Sequence, residues 1–341
     1  MTAPITTHYE QFLHLLAGEP ADPAGAGPVR ARYGERPGPA GGTEPVVLSR
    51  DEWIRNQIDL TLALDRLLTS DDVVVSATPY ELSFIGAEVD RVIEMVGASV
   101  ISVGTSRTIC PMPRLLQLIE HYGATALVCP PSFAAELTGL AVAQGRRPAD
   151  STIRSIIAVG EACSTERLDR IGAAWTAATS ALYGTPSTPT VAVACEHGTL
   201  HVCDHWLRAE VHDGPRGELL LDGVPTGELV ELDPDGRRCA CGAAGPVLVP
   251  LGSLTAAVTG PGGPVSAVDV ERIVFAERGL APHFACDVRA GVFHVTCAVA
   301  GAEPVRDGAV QRSIRDRIRD AYGVDAEIAI VDVNDWSTAT S

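Results

Sequence analysis

Four residues stand out for their chemistry: Cys195, His201 and the pair Cys239-x-Cys241. Three thiolates and one imidazole make a closed tetrahedral shell for a metal such as zinc, with no position left for water or substrate, so such a site is structural. The CACG turn at 239–242 can offer two sulfurs to one ion, although its gap is one residue shorter than the common spacing. Cys203, His197 and His205 lie near enough in sequence to substitute as ligands, and buried or free cysteines are the alternative. Cys163 in GEACST and Cys110 in TICPMP are candidate nucleophiles, Cys163 the more so if it opens a helix. Neither has a histidine nearby in sequence, and inert thiols are the plainer reading. The acidic pairs Asp71–Asp72 and Glu196 with Asp204 fit turns or outer-sphere roles as well as catalysis, and RDRIRD at 315–320 fits a solvated helix face.

The chain has 341 residues, 26 basic against 43 acidic for a formal charge of −17, and is 46% hydrophobic. Every basic residue is arginine; lysine is absent. That excludes Schiff-base chemistry, the Walker-type phosphate lysine and any step resting on a lysine ammonium. A GC-rich genome explains the bias, but the ammonium is missing whatever the cause. The acidic balance argues against nucleic acid and against an anionic membrane surface, because phosphate backbones are met by clustered cations. A small molecule or a protein is the expected partner, a second copy in a homodimer included. No apolar run reaches the ~20 residues of a membrane helix, and the opening MTAPITTHYEQFLHLL lacks the basic stretch of a signal peptide. Nine scattered cysteines fit reduced thiols or metal ligands in the cytoplasm better than a disulfide framework.

These side chains need a scaffold. Residues 18–45, rich in Pro, Gly and Ala and without a period, read as loop. Ser49 with Glu52 three residues on reads as a capping box, opening a helix on which Ile54, Ile58 and Leu62 recur. Short β-branched runs then alternate with amphipathic helices: DVVVSA (72–77), IGAEVDRVIEMVG, SVISVG (99–104), PRLLQLIEHYG, ATALVCP, FAAELTGLAVAQG, SIIAVGEA (155–162) and TERLDRIGAAW. That pattern indicates an α/β fold with a parallel sheet covered on both faces. After Tyr183 the texture turns to short antiparallel strands with Gly/Asp turns. From about Gly252 follow a helix, two strands, a helix with Val310, Ile314, Ile318 and Ala321 on one side, and the strand EIAIVDV, a small split-βαβ unit. The expected division is a short segment and loop at 1–48, an α/β core at 49–182, a β subdomain with the metal clamp at 183–251 and a small α+β domain at 252–341.

YGTPSTPTVAVACEHGTLHV from Tyr183, GELLLDGV, CACG and VDVERIVFAERGLAPHF resemble, in order and spacing, the phenylacetate–coenzyme A ligases of the adenylate-forming (AMP-binding) superfamily. ATPYELSFIGAEVDRVIEMVGASVISV is similar to that family's acyl-pocket segment and IIAVGEACSTERL to its glycine-containing strand end. The resemblance implies a large domain of parallel sheets, helices and an antiparallel β subdomain, followed by a small α+β C-terminal domain. It implies a structural zinc on Cys195, His201, Cys239 and Cys241, as in part of the family. It also implies a ligand pocket at Tyr80, Phe84, Gly160, Glu161, Tyr183 and Gly184, at strand ends where open α/β sheets bind ligands. Tyr80 and Phe84, four apart, fit one helix face in the core equally well.

The family's chemistry joins a carboxylate to the α-phosphorus of ATP and then passes the acyl group from AMP to a thiol. Here its nucleotide motifs depart from pattern. GPAGGTEP (38–45) stands where a Ser/Thr/Gly run should end in Lys-Pro, with Glu44 at the lysine, and a carboxylate there repels polyphosphate. Ser187 aligns with a metal-binding glutamate, and a hydroxyl brings no charge to magnesium. VPTGEL replaces Arg-Thr-Gly-Asp, keeping an acid at Glu228 but placing Pro225 at the arginine; GSLTAAVTGPGGPVS from Gly252 lacks the arginines and aspartates of the hinge. NDWSTATS follows EIAIVDV where a Gly-Lys run is expected. One lost electrostatic contact to a transition state costs about 3–4 kcal/mol, so ATP and magnesium are not expected as cofactors. The expectation is a divergent ligase-like protein of specialised metabolism that binds an aromatic or acyl ligand, a carrier protein or a partner enzyme, or does ATP-independent chemistry. The alternative is an ATP-dependent carboxylate–CoA ligase in which arginines such as Arg36 or Arg107 replace the missing cations.

Overall fold

A computed structural model describes residues 30–37, 42–203, 207–212, 214–236, 239–243, 245–299 and 308–340. Its first elements correct the loop reading of 18–45. Strands β1 (Arg30–Pro37) and β2 (Thr43–Ser49) form an antiparallel hairpin, while residues 18–29 and 38–41 lie outside the described residues. RARYGERP has no apolar alternation to announce a strand; distant partners hold it. The Glu35 N–H donates to Leu82 O at 2.9 Å, Arg32 pairs with the buried Glu88 at 2.9 Å, and Val46 and Leu48 pack with Phe84 and Trp53.

Helix α1 (Arg50–Leu64) starts at Ser49 with both halves of the capping box formed. Ile54 and Ile58 are buried but Leu62 is exposed, because each four-residue step overshoots a full turn by about 40°. The expected alternation then follows: β3 (Val73–Ser76), α2 (Ile85–Met95), β4 (Ser99–Ser102), α3 (Met112–Tyr122), β5 (Ala126–Cys129), α4 (Pro131–Ala143), β6 (Ser155–Ala158), α5 (Thr165–Trp175) and β7 (Ala178–Tyr183). Strands β4, β3, β5, β6 and β7 are parallel neighbours in that order. Two apolar clusters, around Leu115, Leu127 and Trp175 and around Leu64, Val92 and Ile157, supply the core.

The sheet does not stop at β7. It continues antiparallel through β8 (Ala192–Ala194), β9 (Leu200–Val202), β10 (Ala209–Val211), β11 (Arg216–Leu221), β12 (Val224–Asp233) and β13 (Val247–Ser253). Among the described residues one sheet of eleven strands results, in the order β10-β11-β12-β13-β9-β8-β7-β6-β5-β3-β4. A small hairpin, β14 (Val258–Gly260) with β15 (Gly263–Val265), leads to α6 (Ala267–Ala276), and then come β16 (Leu280–Arg289), β17 (Val292–Val299), α7 (Ala309–Tyr322), β18 (Ala326–Asp332) and the short α8 (Trp336–Ala339). The last sheet runs β16-β17-β18, with β17 and β18 parallel and Ile314 and Ile318 of α7 fully buried against it. This is the α/β class expected, with a small α+β C-terminal part. Among the described residues no helix is long and apolar enough to cross a membrane.

Candidate functional site

The sheet brings the four metal candidates together. Cys195 follows β8 in a tight turn, with its N–H donating to Thr199 O at 2.9 Å, and His201 lies in β9 opposite Val247 of β13. The loop before β13 therefore folds back over the hairpin tip and carries Cys239 and Cys241. Gly236 makes that fold possible: its φ is +61°, and a Cβ there would lie 2.1 Å from Gly245 O. Sulfur to sulfur, Cys195–Cys239 is 3.5 Å and Cys239–Cys241 is 3.2 Å; Cys241 Sγ to His201 Nε2 is 3.2 Å. These are not disulfides. All four donor atoms lie within 4.8 Å of one another, close to the ~3.8 Å between sulfurs that share a tetrahedral ion at about 2.3 Å.

Backbone amides serve the sulfurs. The His197 N–H points at Cys195 Sγ and the Ala243 N–H at Cys241 Sγ, each at 3.4 Å. The Cys241 N–H, helped by Thr199, draws the Cys239 thiol down to about 6. Cys241 itself, lowered by the Ala243 N–H but raised more by Cys239 and its surroundings, stands at about 11. The donor set, geometry and amide contacts fit a metal ion. Among the alternative ligands, His197 is exposed and His205 lies outside the described residues.

The ligand candidates spread along the carboxyl ends of the parallel strands. Gly160, with φ +80°, and Glu161 follow β6. The Glu161 carboxylate accepts from the Ser132 N–H at 3.1 Å and from its hydroxyl, so it serves the positive end of α4. Tyr183 ends β7; it is buried, and its hydroxyl has no partner among the described residues. Burial, then the nearby Glu228 charge, push the Tyr183 phenol up, and burial raises Glu228 as well. Gly184 cannot carry a Cβ, which would sit 2.0 Å from Pro189 O, and this closeness shapes the Thr185–Thr188 turn. Ser187 is half-buried within it.

Tyr80 and Phe84 part company. Tyr80 lies before α2, its ring bracketed by Gly86 and Gly104 and its hydroxyl bonded to Asp90, which also takes Ser102. Phe84 sits at the N-cap of α2, 5% exposed beneath the β1–β2 hairpin. The two share no helix face, because the helix begins only at Ile85. Cys163 stands just before the N-cap of α5, but burial pushes its thiol well above the ordinary range, and burial raises Cys110 too.

Both arginines considered as stand-ins for a phosphate-binding cation have acidic partners. Arg36 faces Glu44 across the hairpin, Nη2 to Oε2 at 3.1 Å, and Arg107 meets Glu136 at 2.5 Å.

No protein-family model and no curated protein sequence matches the chain. Solved structures do. 2-Hydroxyisobutyryl-CoA ligase in its postadenylation state superposes with a TM-score of 0.72 at 15% identity, over 89% of this chain and 70% of the ligase. The anthranilate CoA ligase AuaEII with anthranoyl-AMP gives 0.66 at 15%, over 93% and 67%. The chain has the fold of the adenylate-forming CoA ligases. The same 2-hydroxyisobutyryl-CoA ligase in its thioesterification state gives only 0.59 at 17%, over 89% and 71%.

Within this ligase fold, one group of residues was not anticipated. Arg167 of α5 meets Glu271 of α6 at 3.0 Å with exposures of 5% and 2%, and its Nε donates to Pro282 O at 2.9 Å. Arg170 donates to the carbonyls of Leu280, Phe275 and Glu277. His283 of β16, held near pH 4 by burial and then by Arg167, stacks edge-on with Trp336 at 5.1 Å beside Gly139. The only sequence signal was a pair of arginines one helical turn apart on α5.

Proposed function

We propose that this chain is a divergent phenylacetate–CoA ligase-like protein that holds an aromatic or acyl ligand, or a partner carrying one, at the strand ends, and makes no acyl-adenylate from ATP. The Arg36–Glu44 pair carries the reading. Where the resemblance puts a phosphate loop, the hairpin offers one cation already balanced by one anion. An exposed pair of this kind binds weakly enough for a polyphosphate to displace, but the displaced carboxylate would still repel it. Nothing in 341 residues supplies a lysine.

Tyr183, Gly184, Gly160 and Glu161 would form the wall that meets the ligand, with the Tyr183 hydroxyl, unpartnered among the described residues, as its donor. Zinc belongs to the same proposal: bound by Cys195, His201, Cys239 and Cys241, it would supply rigidity and no chemistry. So do a cytoplasmic setting and the division at 48, 182 and 251.

A second reading, an ATP-dependent carboxylate–CoA ligase with substituted motifs, is favoured by the comparisons, since the structures that superpose include an acyl-AMP complex. Calorimetric titration of the metal-assayed protein with Mg-ATP, joined to pyrophosphate exchange over a panel of aromatic carboxylates, separates the two. Absence of binding heat and of exchange supports the first. ATP binding with AMP release on adding a carboxylate and CoA establishes the second.

A further inference from the structure

Helix α6 carries Asp269 and Glu271, two residues and so about 200° apart around the helix. Each meets an arginine outside the C-terminal part, Arg167 on α5 and Arg216 on β11. On one side Glu271 takes Arg167 at 3.0 Å and the Ser164 N–H at 2.6 Å, both from the start of α5. On the other Asp269 takes Arg216 of β11 at 3.2 Å, and that guanidinium also reaches Pro264 O at 2.9 Å and Glu231 at 2.7 Å. Between the two contacts, Val268 packs with Leu229 and Leu251 of β12 and β13. Both carboxylates are nearly inaccessible, Asp269 at 1% and Glu271 at 2%. Farther along, Arg170 collects carbonyls from both ends of the α6–β16 connection, and His283 and Trp336 close against α4.

We infer that α6 is latched on two opposite sides and that the C-terminal part is thereby fixed to the large sheet in one arrangement. Any turn of that part about the 252–266 segment must break two ion pairs with buried carboxylates at once, one on each face of α6. Ion pairs that break readily are solvated ones; Arg167 and Glu271 are both buried, and Asp269 is buried beneath a partly exposed Arg216. The arrangement superposes better on the postadenylation form of 2-hydroxyisobutyryl-CoA ligase than on its thioesterification form, 0.72 against 0.59, each over 89% of this chain. The latch is independent of the nucleotide reading, since a fixed C-terminal part is compatible with ATP binding or with its absence.

Hydrogen exchange measured by mass spectrometry on the full chain tests this. In the unsubstituted protein, 267–276 and 280–289 should exchange as slowly as β3, β5 and β6. Arg167→Gln and Arg216→Gln should each speed both segments together by about tenfold or more, leaving those three strands unchanged. Fast exchange of the two segments in the unsubstituted protein, or no change in either variant, overturns the latch. Small-angle scattering of the unsubstituted protein needs no variant to fold. A curve that the single arrangement seen here reproduces supports the latch, and one that requires a mixture of arrangements or a larger radius of gyration overturns it.

Discussion

Arg167→Met removes the cation opposite Glu271 while keeping most of the side-chain volume. With exposures of 5% and 2%, water can replace neither partner. Removing one member of such a buried pair costs about 3–5 kcal/mol, and the hydrogen bond to Pro282 O is lost with it. Against a total stability of about 5–15 kcal/mol, this is a large fraction. The penalty should also depend on pH. Burial already raises the Glu271 carboxyl, with Arg167 and the Ser164 amide opposing; without Arg167 it rises further. The folded form then binds the proton more tightly than the unfolded chain, so stability is retained below the unfolded value of about 4.3 and falls as pH rises toward the folded value. The cost of the substitution is therefore smallest in acid and complete near neutrality. Urea unfolding at pH 5 and pH 7.5, followed by the fluorescence of Trp336 and Trp175, measures it. Arg167→Met paired with Glu271→Leu should cost far less than the two singly, because an apolar pair carries no stranded charge. A penalty below about 1 kcal/mol at neutral pH, or one equal at both pH values, refutes the reasoning.

Three further outcomes are expected. Elemental analysis should find one zinc per chain, lost in Cys241→Ser, and chelation should expose the 236–246 loop to protease while the β3–β7 core stays protected. Tyr183→Phe removes a buried hydroxyl with no partner, so it should leave stability unchanged or higher by about 1 kcal/mol while weakening ligand binding; a clear loss in a urea melt would show that the hydroxyl is bonded. Glu161→Gln should lower thermal stability by about 0.3–1 kcal/mol, because it removes a charge from the N-terminus of α4; an unchanged melting curve at low salt would count against that role.

What the sequence disclosed was local. Ser49 and Glu52 sit three residues apart and announce their helix unaided. The β-branched runs of β3, β5 and β6 are buried on both faces, so they read as strands without tertiary knowledge. The metal candidates were legible because cysteine and histidine have few bland uses at that spacing, though 44 positions separate Cys195 from Cys239. The hairpin at 30–49 was not legible: its register depends on Leu82 and Glu88, and its own residues show no period. Nor was the α6 latch, where 104 positions separate Arg167 from Glu271 and each looks alone like an ordinary charged residue on a helix. Phe84 misled for a related reason, since its spacing from Tyr80 suggests a shared helix that in fact starts only at Ile85, after both.

The unbroken ladder between the parallel and antiparallel strands couples two places that otherwise look separate. Tyr183 pairs with Ala192 in β8, and three residues farther along the same strand direction stands Cys195. The ligand wall proposed at Tyr183 and the rim of the thiol cluster are thus two ends of one short lever. A lever held at its tip moves less at its root, so an ion at the cluster would stiffen the wall on which Tyr183 stands. Thermodynamics makes the traffic two-way: if metal tightens the grip on a ligand by some factor, the ligand must tighten the grip on metal by that same factor. The affinity of the thiol cluster for an ion would then register whether a ligand sits against Tyr183.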